Sequence, residues 1–185
     1  MKRAAVVIAP GFEEGEALTI IDIIRRAGFT CDSVGLTETV VTGSHDITIR
    51  CDRVLSKEIC TYDMVVLPGG IPGATNLRDS DLLMEVIREM NAEGKYVCAM
   101  CAAPIALERA GVLEGRTFTA YVGYDEKIKA GTFSEKEVVV DGNVVTSRGP
   151  ATTYAFAYEL AGLLGGDAEA VKQRMLYDHA FKKEA

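Results

Sequence analysis

Histidine is scarce in this chain: only His45 and His179 occur, and neither stands in an H-x-x-x-H or other ligand spacing. A zinc site would have to be gathered from widely scattered residues, so no metal is expected. Basic residues are outnumbered, with 20 Lys and Arg against 27 Asp and Glu and a formal net charge of −7. No Lys/Arg cluster stands out, which argues against a nucleic-acid or anionic-membrane partner. Apolar stretches of membrane-spanning length are missing too. The opening segment MKRAAVVIAPGFEEGEA has two basic residues but only a short apolar run, followed by acids. A secretory signal needs a longer apolar region and a small-residue cleavage site, so a cytoplasmic protein is expected. Five cysteines, at 31, 51, 60, 98 and 101, form no disulfide framework, and reduced thiols are the expectation. Repeats, linkers and low-complexity segments are absent.

What remains is a chain of 185 residues, 48% hydrophobic, enough for one domain with a substantial core. Its apolar runs alternate between two periods. AAVVIA (4–9) reads as a short buried strand, and EALTIIDIIRRAG (16–28) has helical spacing ending at Gly28. Strands are expected at 29–36, 39–42, 47–51 and 62–67, the last running into a Pro-Gly-Gly turn. Ser80 can cap the helix DLLMEVIREMNAEG, with Gly94 ending it. KYVCAM (95–100) is a strand and PIALERAG (104–111) a helix. EVVVDGNVVTSR (137–148) reads as a β-hairpin with Asp141-Gly142 at its turn, and two helices follow near 150–164 and 167–181. Such alternation predicts an α/β fold: a mostly parallel central sheet with helices on both faces. Ligands of such sheets bind beyond the carboxyl ends of the strands, so the turns after 4–9, 62–67 and 95–100 are where chemistry is expected.

One of those turns carries Cys98 and Cys101 at C-x-x-C spacing. A dithiol pair requires the first cysteine to open a helix and the second to lie one turn along. Pro104 would then fall in the second turn, where it removes a backbone donor and clashes. A helix starting near 102–104 suits proline better and leaves Cys98 in the strand. Three extended residues span roughly 10 Å, whereas a disulfide needs Cα atoms within about 7 Å. Cys101, flanked by Ala99, Ala102 and Ala103, instead suits a nucleophile elbow, a tight strand-to-helix turn that tolerates only small neighbours. The helix start would favour thiolate, and the N–H of Ala102 would face an oxyanion. An inert, buried cysteine is the equally open alternative.

LPGG (67–70) allows backbone N–H groups to approach a ligand, or is simply a tight turn. PGFEEGE places Glu13, Glu14 and Glu16 at the start of the first helix, where carboxylates ordinarily oppose the helix dipole, although one could face inward.

Together APGFEEGEA, DIIRRAGF, YDMVVLPGG, CAMCAAP and VVTSRGPATTYAFA resemble the ThiJ/PfpI superfamily, in the branch of the Parkinson-associated deglycase DJ-one, over nearly the whole chain. The resemblance implies one flavodoxin-like domain over residues 1–185 and a homodimer. It further implies a reactive Cys101, a hydrogen-bonding Glu16 and backbone oxyanion donors at Gly70 and Ala102. No cofactor or metal is required. The implied activity is on small reactive carbonyls, as a glutathione-independent glyoxalase or a deglycase acting on a small aldehyde or glycated adduct. A redox-sensing or chaperone-like protein using oxidation of Cys101 is the alternative, and a C-x-x-C oxidoreductase a third. Where relatives often have histidine after the next strand, this chain has Tyr121, which could still donate a hydrogen bond to a carbonyl oxygen. Ala102 stands where peptidase-like members have histidine, against a Cys-His protease. His45, where relatives can carry arginine, could approach the site from its loop or from a dimer partner. A carboxylate and a thiolate side by side would each raise the other's pKa. The favourable arrangement therefore keeps the proton on Glu16 and the charge on Cys101.

Overall fold

The computed structural model describes residues 1–181. Its centre is β1 (Arg3–Ile8), an Ala/Val/Ile run with only its first residue partly open. Such an unbroken apolar strand suits a position covered on both faces, and β1 lies between two parallel neighbours, β2 (Thr30–Gly35) and β6 (Met64–Leu67). Between β1 and β2 runs α1 (Glu14–Arg26), which buries Ala17, Ile20, Ile21, Ile23 and Ile24 along one stripe. A small antiparallel hairpin, β3 (Val40–Thr42) with β4 (Thr48–Arg50), stands off the main sheet. The two-residue strand β5 (Arg53–Val54) closes the edge beside β2.

From β6 the chain turns to the other side of β1. There follow α2 (Gly73–Asp79), α3 (Asp81–Ala92), β7 (Tyr96–Met100) and α4 (Pro104–Arg109). Two-residue strands β8 (Thr117–Phe118) and β9 (Thr132–Phe133) pair with each other. The hairpin β10 (Val138–Asp141) and β11 (Val144–Ser147) joins the main sheet through β11. A 3-10 turn at Pro150–Thr152 then leads into α5 (Thr153–Leu163), α6 (Ala168–Arg174) and α7 (Tyr177–Phe181). The sheet order is β10-β11-β7-β6-β1-β2-β5, parallel except for β10. The α1 crossover runs from β1 to β2 and the α3 crossover from β6 to β7, in opposite directions along the sheet, so right-handed connections put α1 and α3 on opposite faces. α5 packs against α1, while α2 and α3 pack with α4.

Ser80 caps α3 as expected, its hydroxyl accepting from Leu83 N–H at 3.3 Å. Four features depart from expectation. α1 begins at Glu14 rather than at residue 16, because the Glu13 side chain caps it. The β10–β11 turn is centred on Gly142 and Asn143, since Asp141 pairs with Val144; Gly142, at φ 61, takes the left-handed position. The expected helix over 167–181 divides into α6 and α7 at Leu176, which adopts φ 57. α2 has too few apolar residues for its periodicity to register in the sequence.

Candidate active site

β1, β6 and β7 are adjacent and parallel, so the turns at their carboxyl ends meet at the point where the strand order reverses. The turn after β1 carries Glu13, Glu14 and Glu16, that after β6 Gly69 and Gly70, and that after β7 Cys101 and Ala102. Glu13 N–H donates to Gly69 O at 2.9 Å, joining the first two turns, and Cys101 N–H donates to Ser147 O at 3.0 Å, tying the third to the end of β11. Tyr121 N–H donates to Cys101 O at 2.9 Å. Pro104 opens α4, leaving Cys101 on the tight turn at φ 59, left-handed backbone that few non-glycine residues adopt. Ala102 and Ala103 are buried against it. Cys98 is fully buried inside β7, opposite Val66 and Val145, and desolvation drives its pKa far upward. The geometry thus separates one cysteine in the sheet from one at the elbow.

Glu16 is completely buried. Its Oε2 accepts from Gly69 N–H at 2.7 Å, and its carboxyl group also meets the Cys101 thiol. Gly69 makes that approach possible: a Cβ there would lie 2.6 Å from the Cys101 Cβ and 2.9 Å from Glu16 Oε2. The backbone N–H groups of Gly70 and Ala102 act on the Cys101 sulfur to lower its pKa. Burial pushes the Glu16 carboxyl up to about 7, outweighing the hydrogen bonds from Gly69 and Cys101. Burial first, then a charged Glu16, push the Cys101 thiol up to about 12, against the two backbone N–H groups. The N–H groups at the helix start act in the expected direction, but burial and a charged Glu16 outweigh them. Glu16 and Cys101 together resist losing both protons, and the thiolate is accessible only while Glu16 keeps its own. Glu16 Oε1 is buried with no hydrogen-bond partner. A buried oxygen left so is tolerable on a neutral acid and costly on a carboxylate.

The two other acids of the segment behave differently. Glu13 Oε2 accepts from Glu16 N–H at 2.5 Å and caps α1. Glu14 turns away from Cys101 into the β3–β4 loop, where Oε1 accepts from His45 N–H at 2.7 Å and Oε2 lies 2.9 Å from His45 Nδ1. His45 is thus held on Glu14, with its ring largely exposed and its pKa raised by that carboxylate. The described residues show it making no contact with Cys101. Ligand atoms of Glu13, Glu14 and His45 lie within 4.8 Å of one another, close enough for a metal, but the carboxylates are already engaged by N–H donors.

Tyr121 is half exposed, and its ring lies on Gly149, where a Cβ would come within 3.2 Å. Its connection to Cys101 runs through the backbone. A different tyrosine escaped the sequence reading: Tyr124, buried, whose phenol feels the charge of Cys101. The only sequence signal was a second tyrosine three residues on, across the Gly123 turn.

A family model described as "DJ-1/PfpI family" matches residues 2–163. The Parkinson disease protein 7 homolog of Danio rerio is 38% identical over 176 residues, covering 91% of this chain and 93% of its own. The Pyrococcus furiosus protein named "Deglycase PfpI" is 35% identical over 156 residues, covering 83% of this chain and 93% of its own. The structure of oxidized Toxoplasma gondii DJ-1 superposes with a TM-score of 0.91 at 32% identity, covering 95% of this chain and 98% of its own.

Proposed function

Since the chain belongs to the DJ-1/PfpI family, we propose that it is a cysteine-dependent enzyme of small reactive carbonyls, a glutathione-independent glyoxalase or deglycase. The observation that carries this is the buried Glu16 carboxyl set against the Cys101 sulfur, with the Gly70 and Ala102 N–H groups on the same sulfur. A relative named as a deglycase supports the substrate class.

On a 2-oxoaldehyde the steps are these. The Cys101 sulfur bonds to the aldehyde carbon while the C=O π pair moves to oxygen, held by Gly70 and Ala102 N–H. The proton kept on Glu16 passes to that oxygen and gives a hemithioacetal. Glu16, now a carboxylate poised near neutral pH, removes the proton from the former aldehyde carbon and returns it to the neighbouring carbon, while the hydroxyl proton moves from the first oxygen to the neighbouring one through the enediol. The resulting thioester is hydrolysed by water to a 2-hydroxy acid and free Cys101. No external oxidant or reductant enters, since one carbon is oxidised as its neighbour is reduced. The test is lactate formed from methylglyoxal: wild type produces it and Cys101→Ser does not. Absence of lactate at high enzyme concentration overturns the proposal.

A second function is favoured by the existence of an oxidized relative in the solved structures. The same sulfur, held by two N–H groups and an acid, is placed to carry a sulfinate, so Cys101 would sense peroxide. Intact mass after mild peroxide discriminates: a gain of about 32 Da on the Cys101 peptide supports sensing, whereas a loss of about 2 Da linking Cys98 and Cys101 points to a dithiol. The family resemblance also leads us to place the protein as a cytoplasmic homodimer, to be checked by light scattering and fractionation. Among the described residues no helix is long and apolar enough to cross a membrane.

A further inference from the structure

The turns after β1 and β6 close into a ring of three hydrogen bonds, and Glu13 takes part in two of them. Glu13 N–H donates to Gly69 O at 2.9 Å. Gly69 N–H donates to Glu16 Oε2 at 2.7 Å, and Glu16 N–H donates to Glu13 Oε2 at 2.5 Å. The ring holds Glu16 at its backbone and at its carboxyl group together. Room for the Glu13 carboxylate comes from Gly15, where a Cβ would stand 3.3 Å from Oε2 and 3.5 Å from Oε1. Glycine is a poor helix former, yet it occupies the first turn of α1 and leaves that space open. Capping alone is served well by a neutral Ser or Asn. What Glu13 adds to the cap is a charge. Among the described residues its bonds run to Glu16, Gly69 and Ala17, and none runs to Cys101.

We infer that Glu13 is a positioning residue of this site: its carboxylate, bonded to the Glu16 backbone, keeps the shared proton on Glu16 and so leaves the negative charge on Cys101. A fixed anion bonded to one member of an acid pair disfavours ionisation of that member over the other. Repulsion from Glu13 acts in the same direction as burial on the Glu16 carboxyl. No covalent bond to carbon or sulfur changes; one proton is redistributed between oxygen and sulfur. The other titratable groups around the pair come from three elements. Glu14 lies on α1 and His45 on the β3–β4 loop, both with ligand atoms within 4.8 Å of the Glu13 carboxylate, and they engage each other at 2.9 Å. Cys101 comes from the β7 turn. The inference rests on the reading of Cys101 as the nucleophile and names the residue that sets its charge.

The test is the rate of Cys101 labelling by iodoacetamide from pH 4 to 9, read by peptide mass on folded protein. In wild type the rate should rise to a plateau as the pair loses its first proton. Glu13→Gln keeps an oxygen for Glu16 N–H and removes the charge. Its rise should move down by about half to one pH unit, and its plateau should fall about threefold to tenfold, the scale of one nearby screened charge. Glu13→Ser, a neutral cap of the preferred kind, should behave alike, so the test survives if one variant misfolds. Glu13→Asp, which keeps the charge, should stay within about twofold of wild type at every pH, a margin well below that expected for the neutral variants. Unmoved profiles in the neutral variants overturn the inference, as does an Asp variant that matches Gln. A plateau that falls while the rise stays in place marks only a looser helix start and also overturns it. If wild-type Cys101 is not labelled at any pH, the nucleophile reading falls and takes this inference with it. An unmoved Glu13→Gln profile beside a labelled wild type removes the inference alone.

Discussion

Glu14 and Glu16 stand two residues apart at the start of one helix, both buried, and their acidities move in opposite directions. Glu14 is held down at about 2: burial would raise it, but the His45 side chain and the N–H groups of His45 and Ile47 more than offset that. Glu16 rises to about 7, because one N–H from Gly69 and a thiol do not compensate its desolvation. Side chains two apart on a helix point to nearly opposite sides. One therefore faces the β3–β4 loop, full of donors, and the other the elbow, where a sulfur competes for the same N–H groups. Burial alone does not activate a carboxyl group; the supply of donors decides whether it becomes a fixed anion or a proton store.

The largest effect should come from removing the proton store. Glu16→Ala is expected to lower turnover of methylglyoxal by about 10²–10⁴-fold. Glu16→Gln should lose turnover comparably yet keep iodoacetamide labelling, because the amide still donates to the sulfur. If Glu16→Gln abolished labelling of a folded Cys101 while Glu16→Asp did not, the proton-donor role of Glu16 would be wrong.

Next comes the pH dependence of folding stability, measured by denaturant unfolding from pH 4 to 9. Glu16 has a folded pKa raised from 4.5 to about 7, so the unfolded chain ionises first. Wild type should lose up to about 3 kcal/mol relative to Glu16→Gln as pH rises between those values, and stay lower above them. A parallel pH profile for the two proteins would contradict burial as the origin of the shift.

Glu14 has the opposite sign. Its folded pKa is depressed, so its contribution is complete above 4.5 and lost as pH falls towards about 2. Glu14→Gln should cost about 1–2 kcal/mol at pH 7, the value of charge-assisted hydrogen bonds, and the difference should shrink in acid. The smallest effect belongs to His45→Asn. The backbone donors to Glu14 remain, so the neutral-pH melting temperature should barely move while the acid unfolding midpoint rises. A large loss of methylglyoxal turnover in that variant would place His45 at the site after all.

Much of this contrast could be read from residues and part could not. The order of strands and helices followed from apolar runs and periods, because central strands must be apolar on both faces. Pro104 alone sufficed to separate Cys98 from Cys101 and to locate the elbow. The assignment of Glu16 among three acids came from family resemblance, since the pattern 13, 14, 16 does not reveal that a hairpin 30 residues on caps Glu14. Tyr124 stayed hidden for a related reason: its position depends on a backbone bond between Tyr121 and Cys101, and such long-range closure leaves no periodic trace. The break at Leu176 and the shift of the β10–β11 turn by one residue are local backbone choices that composition does not fix.

The left-handed backbone of Cys101 has a consequence for how this chain can be improved. Glycine is the residue that this position accommodates with least strain, and a left-handed non-glycine costs about 1–2 kcal/mol. A selection for thermostability alone would drift towards Cys101→Gly and erase the sulfur. Retention of a cysteine there is thus a measure of selection for chemistry over robustness. Libraries sorted separately for folding and for thiol reactivity should part company at this codon.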